Sequence, residues 1–134
     1  MSDQVVVVPV VGVTFENEDG EARQAILDHL YMAFWTEGEV GRARLRVEVR
    51  PDPENPVDPN AIVVLAGPEH SPLKRIGYLP GKMCPALLAS QRAGRCSFKG
   101  AQIHEMGLTS KDATVYVKLG LPYSGPTRSA EVTS

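Results

Sequence analysis

The chain has 134 residues, of which 43% are hydrophobic and 22% charged, and its net charge is −2. This length suits one domain with one hydrophobic core, and the composition excludes an intrinsically disordered chain. The apolar run at residues 5–8 is far too short to span a membrane, and Asp3 precedes it where a signal peptide carries positive charge. We therefore expect a cytoplasmic protein without a membrane partner.

Charge is distributed unevenly along the sequence. Residues 1–38 hold seven acidic residues and one basic residue, whereas residues 39–118 hold eight acidic and twelve basic residues. Binding of phosphates follows the local field rather than the total charge. The pattern is therefore compatible with either an inert surface or a local phosphate-binding surface.

The first elements are a strand and a helix. Residues 5–14 are β-branched and apolar, and Pro9 favours an edge position or a bulge there. An acidic turn at residues 16–20 precedes a helix predicted over residues 21–35. The apolar positions of this helix recur at helical spacing, at Ala22, Ile26, Leu27, Leu30, Tyr31, Ala33 and Phe34. We interpret the aromatic residues of the helix mainly as packing residues.

A basic strand is predicted over residues 42–50, where polar and apolar residues alternate. This alternation places four arginines on one face, and such a face either follows a phosphate backbone or is a solvated strand face that discourages edge pairing. The predicted face consists of Arg42, Arg44, Arg46, Glu48 and Arg50.

The remaining chain alternates turns with short elements. A proline-rich loop at residues 51–60 leads into strands at 61–66 and 74–79, followed by a helix from Pro80-Gly81 to about Arg92 that Gly94 ends. Further strands are predicted at 97–104 and 114–119, joined by residues 106–112. The prediction is an α+β fold, mainly β with two helices, with about six strands in a small OB-like β-barrel. This domain covers residues 1–121, and residues 122–134 are predicted to form a flexible C-terminal tail.

No catalytic motif is present in the sequence. Gly81-Lys82 is followed by Met83 and lacks the earlier glycine of a phosphate-binding P-loop, and no GxSxG motif occurs. Cys84 and Cys96 are solitary, and the three histidines lack metal-binding spacing. The acidic residues of the 51–60 loop do not fit a calcium-binding pattern. We therefore expect a binding module rather than an enzyme, without metal or cofactor.

One constellation of residues stands out. It is Asn55-Pro56-x-Asp58-x-Asn60-Ala61-Ile62, followed after a turn by Ile76-Gly77-Tyr78-Leu79-Pro80. Asn and Asp side chains in such a loop bind nearby backbone amides and fix its shape. Together with Val11-Gly12-Val13-Thr14-Phe15 and the pair Arg23-Gln24, this pattern resembles the HIRAN domain family, found in Swi/Snf-type repair proteins, over about residues 5–120.

The resemblance implies a modified oligonucleotide-binding barrel that binds the 3′ end of single-stranded DNA. The family aspartate that meets the terminal 3′-hydroxyl matches Asp58, and Phe15 alone represents the paired aromatic residues that stack on bases in the DNA-binding relative. The candidate nucleic-acid-binding residues are Phe15, Arg42, Arg44, Arg46, Asn55, Asp58, Asn60, Tyr78 and Lys82. Any catalysis would belong to a partner ATPase or nuclease.

The sequence also departs from the family pattern. Val57 occupies a position that is aromatic in the DNA-binding relative, Pro80-Gly81 replaces lysines, and the helix at residues 21–35 is additional. These departures leave a second interpretation open, in which the same barrel is a protein-interaction or regulatory module. The alternative for Asn55, Asp58 and Asn60 is that they only lock the loop.

Overall fold

The computed structural model describes residues 4–124 and has an α+β fold. Within these residues there are six strands, as predicted, and three helices, one more than predicted. The strands are β1 (Val5–Pro9), β2 (Leu45–Pro51), β3 (Ile62–Pro68), β4 (Lys74–Tyr78), β5 (Gln102–Leu108) and β6 (Val115–Pro122). The helices are α1 (Arg23–Thr36), α2 (Gly38–Ala43) and α3 (Cys84–Arg92), and a 3-10 turn (Gly81–Met83) precedes α3.

The strands form two antiparallel sheets of three strands each. One sheet has the order β1-β6-β5 and the other β2-β3-β4. A short backbone pairing joins them: the Val11 amide donates to the Tyr78 carbonyl at 2.7 Å, and the Tyr78 amide donates to the Val11 carbonyl at 2.9 Å. Gly77 makes this crossing possible, because a Cβ there would lie 2.7 Å from Cγ1 of Val10 and closer still to the Val11 carbonyl oxygen.

The hydrophobic core lies between the sheets and α1. Helix α1 buries the predicted residues Ile26, Leu27, Leu30 and Phe34, because their spacing places them on one side of the helix. Both sheets contribute fully buried side chains to the same cluster, among them Val8, Ile62, Val64, Ile76, Met106, Val117, Leu119 and Leu121. The core therefore joins both sheets and helix α1 into one packed unit.

The prediction of a strand over residues 42–50 is wrong in its first part. Arg42 lies in α2, and Arg44 is the residue after that helix. The Arg42 guanidinium stacks on Phe34 at 4.4 Å and on Trp35 at 5.2 Å, and Nε donates to the Phe34 carbonyl at 3.0 Å. These contacts with α1 hold Arg42 in helix α2, although the alternation of polar and apolar residues begins at this position.

The predicted face of four arginines is therefore not formed. Only Arg46, Glu48 and Arg50 alternate outward along β2, and Arg50 lies 3.5 Å from the Glu48 carboxylate in an exposed ion pair. The inward side carries the predicted residues Leu45, Val47 and Val49.

Among the other predicted strands, those at residues 5–14 and 97–104 depart most from their predicted bounds. β1 ends at Pro9, since a turn from Gly12 to Phe15 follows, in which the Phe15 amide donates to the Gly12 carbonyl at 3.3 Å. The strand predicted at 97–104 begins only at Gln102 and runs through Leu108. Residues 98–101 form a turn instead, in which the Ala101 amide donates to the Phe98 carbonyl.

The helix of the second half follows the prediction at both ends, whereas the last strand is longer than predicted. Pro85 lies in the first turn of α3, and Gly94 follows this helix with a φ of +77°. β6 continues to Pro122, Tyr123 pairs with Cys96, and the Ser124 amide donates to the Arg95 carbonyl at 2.7 Å. The prediction that a flexible tail begins at residue 122 is therefore wrong for residues 122–124, which these hydrogen bonds attach to the fold, and residues 125–134 lie outside the described residues.

Candidate functional site

A cleft of about 510 Å³ lies beside the pairing of Val11 with Tyr78, and it brings together four of the predicted residues. One wall comes from the turn after β1, another from the 51–60 loop, and the floor from the end of β4. The four residues are Phe15, Asn55, Asp58 and Tyr78, and the cleft is also lined by Val11, Gly12, Glu18, Arg23, Pro56, Val57, Ala61, Leu79, Gly81 and Cys84.

Side-chain hydrogen bonds within the loop set its shape. The Asn55 Oδ1 accepts from the amides of Val57 at 2.9 Å and Asp58 at 3.1 Å. The Asn55 Nδ2 donates to the Asp52 carboxylate at 3.3 Å. Because both ends of the Asn55 amide are engaged within the loop, this residue has the locking role that the sequence analysis left open.

Asp58 has one carboxylate oxygen engaged and one without a partner. Oδ1 accepts from the Asn60 amide at 2.9 Å. No donor from residues 4–124 reaches Oδ2, and the half-buried side chain lines the cleft. The loop thus presents a hydrogen-bond acceptor, and a carboxylate is suited to a hydroxyl donor but repels a phosphate.

Apolar surface borders this carboxylate. Phe15 is 64% exposed and Val57 is 90% exposed at the cleft. Two guanidinium groups lie near the half-buried Tyr78 ring, with Arg23 at 5.6 Å and Arg75 at 5.7 Å from its centroid. An exposed ring beside a hydrogen-bond acceptor is suited to a planar ligand such as a nucleobase.

Arg23 is a cleft residue that the sequence analysis did not include among the candidates. Its side chain is only 6% exposed, although it is charged. Nε donates to Oδ1 of Asn17 at 2.8 Å, and Nη1 donates to the Gly12 carbonyl at 2.8 Å. Burial lowers the pKa of Arg23; Tyr78 raises it in part, and Arg75 lowers it further.

The signal for Arg23 in the sequence was its place in the Arg23-Gln24 pair. The two side chains of this pair have different roles. The Gln24 amide group bonds to the backbone of Val13 and Val115, whereas Arg23 lines the cleft. Helical spacing places Arg23 on the face of α1 that carries Ile26 and Leu27, so this spacing is a signal in the sequence that could have identified it.

Cys84 also lines the cleft, but its thiol is buried. Its Sγ–H donates to the carbonyl of Pro80 at 3.3 Å. Burial raises the pKa of this thiol, with a smaller contribution in the same direction from the Asp58 carboxylate. The thiol is therefore a poor nucleophile.

The other predicted binding residues do not line the cleft. Arg42 packs on α1, and Arg44 follows α2. Arg46 lies on the outward face of β2, and Asn60 and Lys82 are exposed at the loop and at the 3-10 turn. Among the described residues, no group of three or more His, Cys, Asp or Glu side chains is arranged to hold a metal ion.

No helix within residues 4–124 has the length and apolarity needed to cross a membrane. No protein-family model matches the chain, and no curated protein or solved structure matches it significantly.

Proposed function

We propose that this chain is a nucleic-acid-binding module that binds the 3′-hydroxyl end of single-stranded DNA in the cleft and has no catalytic activity of its own. The observation that carries this proposal is the free Oδ2 of Asp58, which faces a cleft with an exposed aromatic ring. A terminal hydroxyl can donate a hydrogen bond to this oxygen, whereas an internal phosphodiester has no donor to offer.

The aromatic residues support the same ligand. A base stacked on a protein ring contributes about 1–3 kcal/mol, largely independent of sequence. Phe15 offers such a ring at 64% exposure, and the half-buried Tyr78 lines the same cleft. The recognition would therefore depend on the end of the strand rather than on its base sequence.

We also propose the barrel architecture, the catalytic partner and the cytoplasmic location that the HIRAN resemblance implies. We interpret the two sheets as an open form of an OB-like barrel, since the pairing of Val11 with Tyr78 joins them on one side. A partner ATPase or nuclease would supply any chemistry. The buried free thiols of Cys84 and Cys96 are compatible with a reducing cytoplasm as the place of action.

The test is fluorescence anisotropy with a labelled single strand that ends in either a 3′-hydroxyl or a 3′-phosphate. We expect the 3′-phosphate strand to bind at least about tenfold more weakly, because its charge meets the Asp58 carboxylate and the hydroxyl donor is lost. Asp58→Asn keeps an oxygen for the Asn60 amide and replaces the free oxygen with an amide group, so it should abolish the preference.

Glu54→Gln is the matched control, because Glu54 is an exposed acid in the same loop. It should leave the preference unchanged. Equal binding of the two strands by the unmodified protein, or a preference that survives in Asp58→Asn, would overturn end recognition. Absence of any binding at low salt would favour the protein-interaction module instead.

A further inference from the structure

Arg23 is the only charged side chain that is buried within residues 4–124. The ion pairs of this part of the chain join other residues, so no carboxylate lies within ion-pair distance of its guanidinium. Burying a charge without a counter-charge is costly unless hydrogen bonds or a ligand compensate for it. The protein therefore maintains a positive charge at this position without neutralising it.

The hydrogen bonds of Arg23 leave one part of the guanidinium unused. Nε and Nη1 donate to the neutral oxygens of Asn17 and Gly12. No acceptor within residues 4–124 bonds to Nη2. Within the same residues, every polar side-chain atom that is fully buried has a hydrogen-bond partner. Nη2 therefore reaches the accessible surface, where Arg23 lines the cleft.

The residues around the Arg23 guanidinium add positive charge there and do not neutralise it. Arg75 lies on the same Tyr78 ring and is close enough to lower the pKa of Arg23. Gly12 allows the close approach of the guanidinium, since a Cβ at Gly12 would lie 3.2 Å from Nη1. Glu18 is the other acidic residue lining the cleft besides Asp58, and it is exposed and makes no ion pair with Arg23.

We infer that Arg23 is the binding position for a phosphate group of the nucleotide that occupies the cleft. This inference rests on the proposed function and deepens it. Arginine binds phosphate with charge-assisted hydrogen bonds from a planar fork of donors. Asp58 repels a phosphate and accepts from a hydroxyl, so Asp58 and Arg23 select opposite ends of one nucleotide.

The two groups together define the orientation of the ligand. The 3′-hydroxyl of the last nucleotide lies at Asp58, and the phosphate on its 5′ side lies at Arg23. A nucleoside 5′-monophosphate carries both recognised groups and is the smallest ligand of this class. A cleft of about 510 Å³ lies within the range of about 300–1,000 Å³ typical of small-ligand sites.

The first experiment changes the ligand and leaves the protein intact. A single strand whose 3′-terminal linkage is an uncharged methylphosphonate is compared with the all-phosphodiester strand by fluorescence anisotropy. We expect roughly tenfold to a hundredfold weaker binding, because a hydrogen bond between charged groups is lost. The same replacement in the middle of the strand is the control and should have a clearly smaller effect.

The second experiment couples this change to Arg23. In Arg23→Gln the terminal methylphosphonate should no longer weaken binding, whereas Arg92→Gln, an exposed arginine of α3, should keep the full penalty. Should Arg23→Gln fail to fold, the Arg23 Nε–H signal of the unmodified protein is followed by NMR instead. Thymidine 5′-monophosphate should shift this signal, and thymidine should not.

The outcomes separate the two proposals. Strong strand binding that ignores the terminal methylphosphonate overturns the phosphate position and leaves end recognition standing. Failure to bind any strand, with an Nε–H shift from thymidine 5′-monophosphate alone, overturns the proposed function and supports a phosphate site. Neither strand binding nor an Nε–H shift overturns both.

Discussion

Gln24 and Val115 exchange two hydrogen bonds across 91 positions of the sequence: the Gln24 Nε2 donates to the Val115 carbonyl at 3.0 Å, and the Val115 amide donates to the Gln24 Oε1 at 2.8 Å. Nε2 also lies 3.2 Å from the Val13 carbonyl. One side chain thus holds the start of α1, the start of β6 and the segment that forms a wall of the cleft. The position of Arg23 follows from that attachment.

Replacing Gln24 with Met should therefore be costly. The variant Gln24→Met keeps a similar volume but leaves the backbone groups of Val13 and Val115 without their partner, and we expect a loss of about 2–4 kcal/mol in the free energy of unfolding. Urea denaturation measures this value. Gln102→Met, an exposed position on β5, is the control and should change it by less than about 0.5 kcal/mol. A loss for Gln24→Met as small as that of the control would contradict the role given to this side chain.

An aromatic residue at position 57 should strengthen DNA binding. Val57 is 90% exposed at the cleft, so Val57→Tyr is accommodated without disturbing the core and adds a ring beside Asp58. A further stacked base should raise the affinity for a 3′-hydroxyl strand roughly five- to a hundredfold. Val40→Tyr, at an exposed position of α2, should leave the affinity unchanged. Equal effects of the two variants in an anisotropy titration would show that stacking is not local to the cleft.

Arg46 and Arg42, two of the four arginines predicted to share one strand face, should have different effects when they are replaced. Arg46→Gln removes an exposed charge from β2, and we expect it to lower the slope of log affinity against log salt by about one, as the loss of one phosphate contact does. Arg42→Gln removes the stacking on Phe34 and Trp35 and should lower the free energy of unfolding by about 1–2 kcal/mol, without changing that slope. Salt titrations and urea denaturation of both variants check this; a reduced slope in Arg42→Gln would contradict the packing role.

The turn between β5 and β6 should be sensitive to acid. The hydroxyl of Thr109 donates to the Asp112 carboxylate at 2.5 Å and that of Thr114 at 3.1 Å, and these bonds lower the pKa of Asp112. A lowered pKa in the folded state means that this contribution is present above the ordinary carboxyl pKa of about 4 and is lost as the pH falls through the lower folded value. Asp112→Asn should therefore be less stable at neutral pH but show a flatter decline in stability below pH 4, measured by thermal unfolding. Parallel declines in the two proteins would be inconsistent with this role.

Local chemistry made much of the fold predictable. The loop around Asn55 and Asp58 could be predicted because an Asx side chain bonds backbone amides only two or three residues away. Helix α1 could be predicted because its buried residues share one helical face, and the end of α3 because Gly94 adopts a positive φ.

Tertiary contacts determine two features that the sequence analysis did not predict, the helical position of Arg42 and the surroundings of Arg23. The alternation from Arg42 to Arg50 is typical of a strand, yet Arg42 stacks on two aromatic rings of α1 and lies in a helix. The spacing of α1 places Arg23 on the same face as Ile26 and Leu27, but the oxygens that accept from its guanidinium, at Gly12 and Asn17, are brought there only when the chain folds back over it. Both cases depend on residues brought together only by folding.

The reciprocal hydrogen bonds of Val11 and Tyr78 run along the cleft as well as between the sheets. A nucleotide held by Asp58 on one wall and Arg23 on the other would span the same junction from outside. Occupancy would thus fasten the two halves of the molecule to each other, and the protein would resist heat in proportion to how tightly its ligand is held.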